Sequence, residues 1–524
     1  MKINFMFGTT QMNRLALLLF SLLIISSCAV LNGEKSAQPA AEIHFTILQM
    51  NDVYEIAPLE KGKVGGMARV ATVRKELIKE NPNLLTVHAG DFLNPSLLGT
   101  LKFQGERIKG RQMVEVMNGL EIDVVAFGNH EFDIKENELQ QRMNESDFTW
   151  IGTNVLHQKG EGLSAFHKEK NGKKSYSPEY YIWGFKDEKT GKGLKIGFYS
   201  ACINSTKKDY VYYEDPYQEA AKAFNEMKGN VDVILGLTHL SIEQDLKMAA
   251  QLPETVLIMG GHEHDNSINK VGNVVITKAD ANVKTVYVHR FSHNLQTKKT
   301  TVESTLVPID DKIEADPELN KVVEKWQQIQ DNEILEVVAN PNEVVYTAKI
   351  PLDGREGSVR NRQTNLGEMI TAGMSASLKK KADCVILNSG SIRLDDQLSG
   401  DIIATDLFRT MPFGGGIYEI DLKGDILKRA LNAGLENAGA GGYLQWHNIT
   451  YNEADQSWQI NNEPLDETKT YHIASSEYLA NGYENRLEFF KEENFVNTEK
   501  PNNNDPDDLR TDVRKAVIAY MKTL

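Results

Sequence analysis

An α/β architecture spread over more than one domain is what this sequence predicts, and three observations predict it. The chain has 524 residues, more than one hydrophobic core usually organises. Short apolar runs of strand length recur along its first half, several of them separated by helix-patterned segments, the alternation expected of an α/β sheet. The polar residues that end those runs are chemically of one kind. Composition sets the outer bounds: 41% hydrophobic and 25% charged residues belong to a folded chain, not a disordered one. A formal charge of -15, from 73 acidic against 58 basic residues, argues against general nucleic-acid binding, which needs a basic surface to displace counterions. An anionic substrate then requires something local, metal ions or a few arginines, to attract it.

At the start, Lys2 and Arg14 precede an apolar run from Leu15 to Ile25 that only Ser21 interrupts. This is the layout of a secretory leader, and the run is short for a membrane-spanning helix. Ile25-Ser26-Ser27-Cys28 follows and resembles a bacterial lipobox. Residues 1–28 are therefore expected to be a lipoprotein signal peptide with Cys28 as the lipidation site. Ala29 rather than Asp follows the cysteine, which favours the outer membrane of the cell envelope, with either facing open. Residues 29–41 read as a tether. Three cysteines in all are too few for a disulfide scaffold. Cys202 and Cys384 sit in apolar stretches and read as buried small hydrophobes, with a disulfide between them left open.

The strands come next. Phe45–Met50 ends at Asn51-Asp52, Leu84–Val87 at His88-Ala89-Gly90-Asp91, and Val124–Phe127 at Gly128-Asn129-His130-Glu131-Phe132-Asp133. Val233–Leu237 ends at Thr238-His239, and Val256–Met259 at Gly260-Gly261-His262-Glu263-His264. Continuous apolar runs bounded by Gly or polar residues read as strands buried on both faces; Ala68–Lys79 and Met113–Met117 read as helices between them. Loops at one edge of such a sheet converge on a crevice where ligands bind. Scattered surface residues have no reason to keep this register. Carboxylate, amide oxygen and imidazole, with no thiolate, suit a pair of divalent ions such as Zn or Mn. Two such cations can clamp a phosphate and lower the pKa of a bound water.

These blocks, Asp52, Gly90-Asp91, Gly128-Asn129-His130-Glu131, Thr238-His239 and Gly261-His262-Glu263-His264, resemble those of the calcineurin-like metallophosphoesterases. The longer form ending Phe132-Asp133 is similar to the 5'-nucleotidase branch. The resemblance implies an N-terminal α/β/β/α sandwich, one metal site from Asp52, Asp91 and His264, and a second from Asp91, Asn129, His239 and His262. It also implies that His130, oriented by Asp133, stabilises the charge on the phosphate and leaving group. Two departures stand out. Asp52-Val53-Tyr54 replaces the usual Asp-x-His, so Tyr54 either ligates or points away. Pro95 precedes Ser96 where glycine is common, and stiffens that loop.

Further on, Asp316-Pro317 opens an amphipathic pattern through Leu319, Val322, Val323 and Trp326, read as a connecting helix or a helix packed on the first domain. Thr364–Ala376 and Leu422–Ala433 read as helices and Cys384–Leu387 as a strand, a second α/β unit. Arg360-Asn361-Arg362-Gln363-Thr364-Asn365-Leu366-Gly367, Asn388-Ser389-Gly390-Ser391-Ile392-Arg393 and Met411-Pro412-Phe413-Gly414-Gly415-Gly416 resemble the 5'-nucleotidase C-terminal substrate domain. By that resemblance Arg360, Asn388 and Arg393 contact the substrate, and Phe413 and Tyr478 sandwich its base. Asn481-Gly482-Tyr483-Glu484-Asn485 departs from the family's Asn-Gly-Gly-Asp-Gly, placing Glu484 where an Asp holds ribose hydroxyls. The expected division is 42–305 for the first domain, 306–340 for the connection and 341–524 for the second domain. By the resemblance the expected activity is metal-dependent phosphomonoester hydrolysis of extracytoplasmic nucleotides, nucleoside 5'-phosphate to nucleoside plus phosphate. The alternatives are a 2',3'-cyclic nucleotide, nucleotide-sugar or other phosphoester hydrolase, or a non-catalytic nucleotide-binding lipoprotein. No nucleic-acid duplex is expected as partner, and membrane contact only through the anchor.

Overall fold

The computed structural model describes residues 42–524; the leader, Cys28 and the tether at 29–41 lie outside the described residues. From there the chain runs β1 (Glu42–Met50), α1 (Met67–Glu80), β2 (Leu84–His88), α2 (Arg111–Gly119), β3 (Val124–Ala126), β4 (Thr149–Ile151), β5 (Tyr180–Lys186) and β6 (Gly193–Cys202). It continues through α3 (Pro216–Met227), β7 (Val233–His239), α4 (Ile242–Gln251), β8 (Leu257–Gly260), β9 (Ser267–Val271), β10 (Val274–Lys278), β11 (Thr285–Asn294) and β12 (Thr300–Pro308).

The strands that end in acids and histidines do not share one sheet. β1, β2 and β3 lie together in the order β12-β11-β1-β2-β3-β4, whereas β7 and β8 belong to a second sheet, β5-β6-β7-β8-β10-β9. The one-sheet crevice suggested by strand spacing is thereby corrected to a two-sheet sandwich, the form the family resemblance implied. Residue alternation builds it. Ile43, Phe45 and Ile47 of β1 meet Ile196, Phe198, Leu235 and Met259 of the other sheet in a central core. Leu48 and Met50 turn the other way, onto α1 and α2. Ala201, Ile234 and Ile258 turn outward onto α3 and α4. Strands with both faces covered are what the continuous apolar runs signify. Within each sheet β1, β2 and β3, and likewise β7 and β8, are parallel, so each set delivers its C-terminal loops to one rim.

Asp316 caps α5 (Pro317–Leu335), its side chain accepting from Leu319 N at 3.1 Å, a normal N-cap with Pro at the first helical position. Leu319, Val323 and Trp326 pack into the first unit, and Ile334 at the far end joins the core of the second. The connection is therefore a helix seated on the first domain. The second unit contains α6 (Asn365–Ala376), β13 (Cys384–Asn388), β14 (Ile417–Lys423), α7 (Gly424–Glu436), β15 (Leu444–His447), β16 (Thr470–Ser476), β17 (Asn497–Glu499) and α8 (Val513–Met521). Its sheet, β15-β13-β16-β14-β17, carries α6 and α8 on one face and α7 on the other. The helix expected from Leu422 begins only at Gly424, because Leu422 and Lys423 still pair with Tyr471 and Thr470 of β16. Cys202 and Cys384 are both free and buried, one in each unit.

Candidate metal centre

Five loops bring the expected ligands together. Asp52 follows β1 and Asp91 follows β2, both in the left-handed region (φ 53° and 62°), as is His262 after β8 (φ 83°). Side chains other than glycine rarely adopt this conformation, and such strain concentrates at functional sites. Hydrogen bonds hold it here. Asp52 Oδ2 accepts from Asn51 Nδ2 and His262 N, each at 2.9 Å; Asp91 Oδ1 accepts from His130 N at 2.7 Å. Gly128 has to be glycine, since a Cβ there would sit 2.1 Å from Asp91 Oδ1.

Asp91, His239 and His262 each offer a ligand atom, all within 4.8 Å of one another. His239 Nδ1 lies 2.8 Å from Ala89 O, which leaves Nε2 facing inward. That Nε2 is 3.0 Å from Asp91 Oδ2 but is not aligned for a hydrogen bond and has no other partner. Two donor atoms about 2.1 Å from one ion sit roughly 3–3.4 Å apart, so this spacing is compatible with both atoms holding the same ion. Asn129 Oδ1 is likewise buried without a partner. Orphaned buried polar atoms are uncommon in folded chains, and these two belong to the expected set. Beside them, Asp52 Oδ1 lies 3.6 Å from His264 Nε2. Tyr54 points in, not away: its hydroxyl is 3.2 Å from His264 Nε2, 3.4 Å from Asp52 Oδ1 and 3.5 Å from Asp91 Oδ2. The residues fit a pair of ions, with the Tyr54 oxygen standing where a histidine nitrogen is usual.

The charges reflect the crowding. Burial alone would raise Asp52, but His239 and His264 hold its carboxyl well below the usual range. Burial alone would lower His239, yet Asp91 and Asp52 lift it to about 9. His262, buried beside His239, drops to about 4.

His130 Nδ1 is 2.8 Å from Asp133 Oδ2, and its Nε2 is left 4.0 Å from Asp91 Oδ2 and 3.7 Å from Glu356 Oε2. Against burial, Asp91 and Asp133 raise its pKa to about 10. Asp133 Oδ2 also accepts from Asn94 Nδ2 at 2.8 Å and, across the domain boundary, from Arg393 Nη2 at 2.9 Å. Arg360 pairs with Glu356. Asn388 Nδ2 donates to Glu484 Oε2 at 3.0 Å. Phe413 and Tyr478 are 60% and 47% exposed, the first on a loop and the second in a short helix (Glu477–Ala480), joined by Glu477 N donating to Gly416 O at 2.8 Å. No contact ties these two rings to the metal-ligand cluster.

Three further residues take part, one inside a sequence block that carried no role for it and two outside every block. Glu131 accepts from the backbone N–H groups of Gly128, Asp91, Phe92 and Leu93 at 2.7–3.2 Å, fastening the loop after β3 to the loop after β2; its place between His130 and Phe132 was the available signal. Glu356 and Asp395 of the second domain reach His130 and His264, Asp395 O lying 2.6 Å from His264 Nδ1. Nothing in their sequence context marks them.

A two-sheet domain whose rim gathers acids and histidines, closed by a second α/β domain, defines a class: the two-domain metallophosphoesterases. The sequence model for calcineurin-like phosphoesterases matches residues 45–266, and that for the 5'-nucleotidase C-terminal domain matches residues 344–492. The chain belongs to the 5'-nucleotidase family of calcineurin-like phosphoesterases, enzymes that use two divalent metal ions. It is similar to a 5'-nucleotidase of Bos taurus, 26% identical over 506 residues, which cover 83% of each protein. It is also similar to the trifunctional nucleotide phosphoesterase protein YfkN of Bacillus subtilis, 28% identical over 455 residues. That match takes in 80% of this chain but only 29% of the relative's length. In fold it is similar to a 5'-nucleotidase precursor from Thermus thermophilus, with a TM-score of 0.66 at 22% identity, covering 92% of this chain and 96% of that one.

Proposed function

We propose that the chain removes phosphate from extracytoplasmic nucleoside 5'-phosphates. The observation that supports this best is the meeting of both domains at one point: Arg393 of the second bonds the same Asp133 oxygen that holds His130, beside the cluster of Asp91, His239 and His262 with Asp52 and His264 adjoining it. Asp52, Asp91, Asn129, His239, His262 and His264 would hold two divalent ions, Zn, Mn or similar, which would supply Lewis acidity toward phosphoryl oxygens and a nucleophile near neutral pH. The chain does the rest. Asp133 fixes the His130 ring so that Nε2 carries a proton toward the departing alkoxide. Arg360 and Arg393 offer guanidinium forks to phosphate oxygens. Phe413 and Tyr478 offer two faces to a base without reading its edges, and Asn388 anchors Glu484 for the sugar. This positioning can account for a large share of the rate.

A second reading, another ester such as a 2',3'-cyclic nucleotide or a nucleotide sugar, is favoured by one feature. The stretch around Glu484 departs from the family pattern and sets an exposed Tyr483 ring 5.7 Å from Tyr478. A substrate panel in added Mn or Zn decides. AMP cleaved fastest supports the first reading; AMP left intact while cyclic or sugar nucleotides are cleaved replaces it with the second. No turnover, with less than one ion bound per chain, would make the protein a nucleotide-binding lipoprotein instead. We also place it in the cell envelope, lipid-anchored at Cys28, on the strength of the leader. Fatty-acid labelling that persists in Cys28→Ala would remove the anchor.

A further inference from the structure

Lys278, the last residue of β10, is completely buried, and the proposed reaction gives it no task. Its ammonium donates to Leu240 O at 2.5 Å and Gly261 O at 2.7 Å, pairs with Asp245 Oδ2 at 3.0 Å and contacts Glu263 Oε2. The two carbonyls are informative. Leu240 is the residue after His239, and Gly261 is the residue before His262. The carboxylates extend the same connection: Asp245 Oδ1 accepts from Thr238 Oγ1 at 2.7 Å, and Glu263 Oε1 accepts from Ile242 N at 2.7 Å. A single ammonium thus ties the loop after β7 to the loop after β8, next to the two imidazoles that cluster with Asp91.

Burying a lysine is costly unless it is paired, and an unneutralised ammonium so close would repel divalent cations. Asp245 and Glu263 answer both problems, leaving the trio with a formal net charge of -1. An apolar residue would fill the space more cheaply, so the arrangement calls for an explanation other than stability.

We infer that Lys278, with Asp245 and Glu263, is a positioning unit that sets the separation of His239 and His262 and so the affinity of the ion they share with Asp91. The inference rests on the two-ion reading above. Partners that orient metal ligands typically contribute 10–100-fold in affinity.

The test is metal titration of the full chain with Mn and Zn against a chelator, alongside apo-protein melting curves, for wild type, Lys278→Met and Lys278→Met/Asp245→Asn. The single variant removes the ammonium, and the double variant also removes the charge of Asp245, the fully buried carboxylate that loses its partner. The expected result is two ions in wild type, with one of them bound about 10–100-fold more weakly in both variants and the other unchanged. Melting should be depressed in Lys278→Met and largely restored in the double variant. If the double variant recovers wild-type affinity, or if either folded variant binds both ions as wild type does, the positioning role is wrong. Fewer than two ions in wild type overturns the two-ion reading itself, and the inference with it.

Discussion

At the scale of single residues, roles at the metal cluster can be separated because each side chain's second contact differs. His130 is held by Asp133 and binds no expected ion, so His130→Ala should lower kcat by about 10²–10⁴ while nucleotide affinity changes little. Steady-state kinetics and equilibrium binding of a non-hydrolysed analogue read the two separately, and equal losses in both would contradict the assignment. Tyr54→Phe removes one oxygen and leaves the packed ring, so apo-protein melting should stay near wild type. Occupancy of the Asp52–His264 ion should fall, and metal analysis after dialysis checks it. Protons compete with that chemistry. With His239 at about 9, ions must displace a proton below that pH, so metal affinity should rise from pH 6 toward pH 9. The apo-protein runs the opposite way. The raised pKa of His239 contributes stability that is full below its unfolded value of about 6.5 and is lost as pH rises through about 9. Melting of metal-free protein across that window should therefore fall as affinity climbs.

Among the elements, α5 shows how sequence and structure relate. Its cap, its proline and its apolar face were legible, and Trp326 is fully buried against the first unit. Trp326→Ala should cost about 3–5 kcal/mol, seen as a lowered melting temperature of the first domain. The strands carrying Asp52, Asp91, His239 and His262 were equally legible, because a run buried on both faces leaves an unbroken apolar signature. Their division between two sheets was not, since that signature is the same whichever neighbour a strand pairs with. The start of α7 failed for a related reason: Leu422 satisfies a buried strand position as well as a helical one. Glu356 and Asp395 were invisible because only tertiary folding carries them to His130 and His264.

For the whole molecule, several ion pairs cross the boundary between the domains. Arg409 Nε lies 3.2 Å from Glu55 Oε1, Lys61 Nζ 2.7 Å from Asp401 Oδ2, and Lys284 pairs with Asp396. The first of these pairs is nearly buried and the second is well exposed, so they are not equivalent: the exposed pair is worth about 0–1 kcal/mol. Arg409→Met strands Glu55 in a crevice between the domains, and breaking a buried pair in that way costs about 3–5 kcal/mol. The domains should separate more readily, which small-angle scattering would show as a larger radius of gyration; an unchanged radius would mean that apolar contact alone holds them.

The hydrogen bond from Arg393 to Asp133 makes the two halves of the chain interdependent. A severed N-terminal half would keep every expected ion ligand, yet Asp133 would lose one of its three donors and His130 part of its restraint. Such a fragment should still take up metal and cleave small activated esters slowly, while a natural nucleotide, whose departing alkoxide needs a well-aimed proton, would pass through it almost untouched.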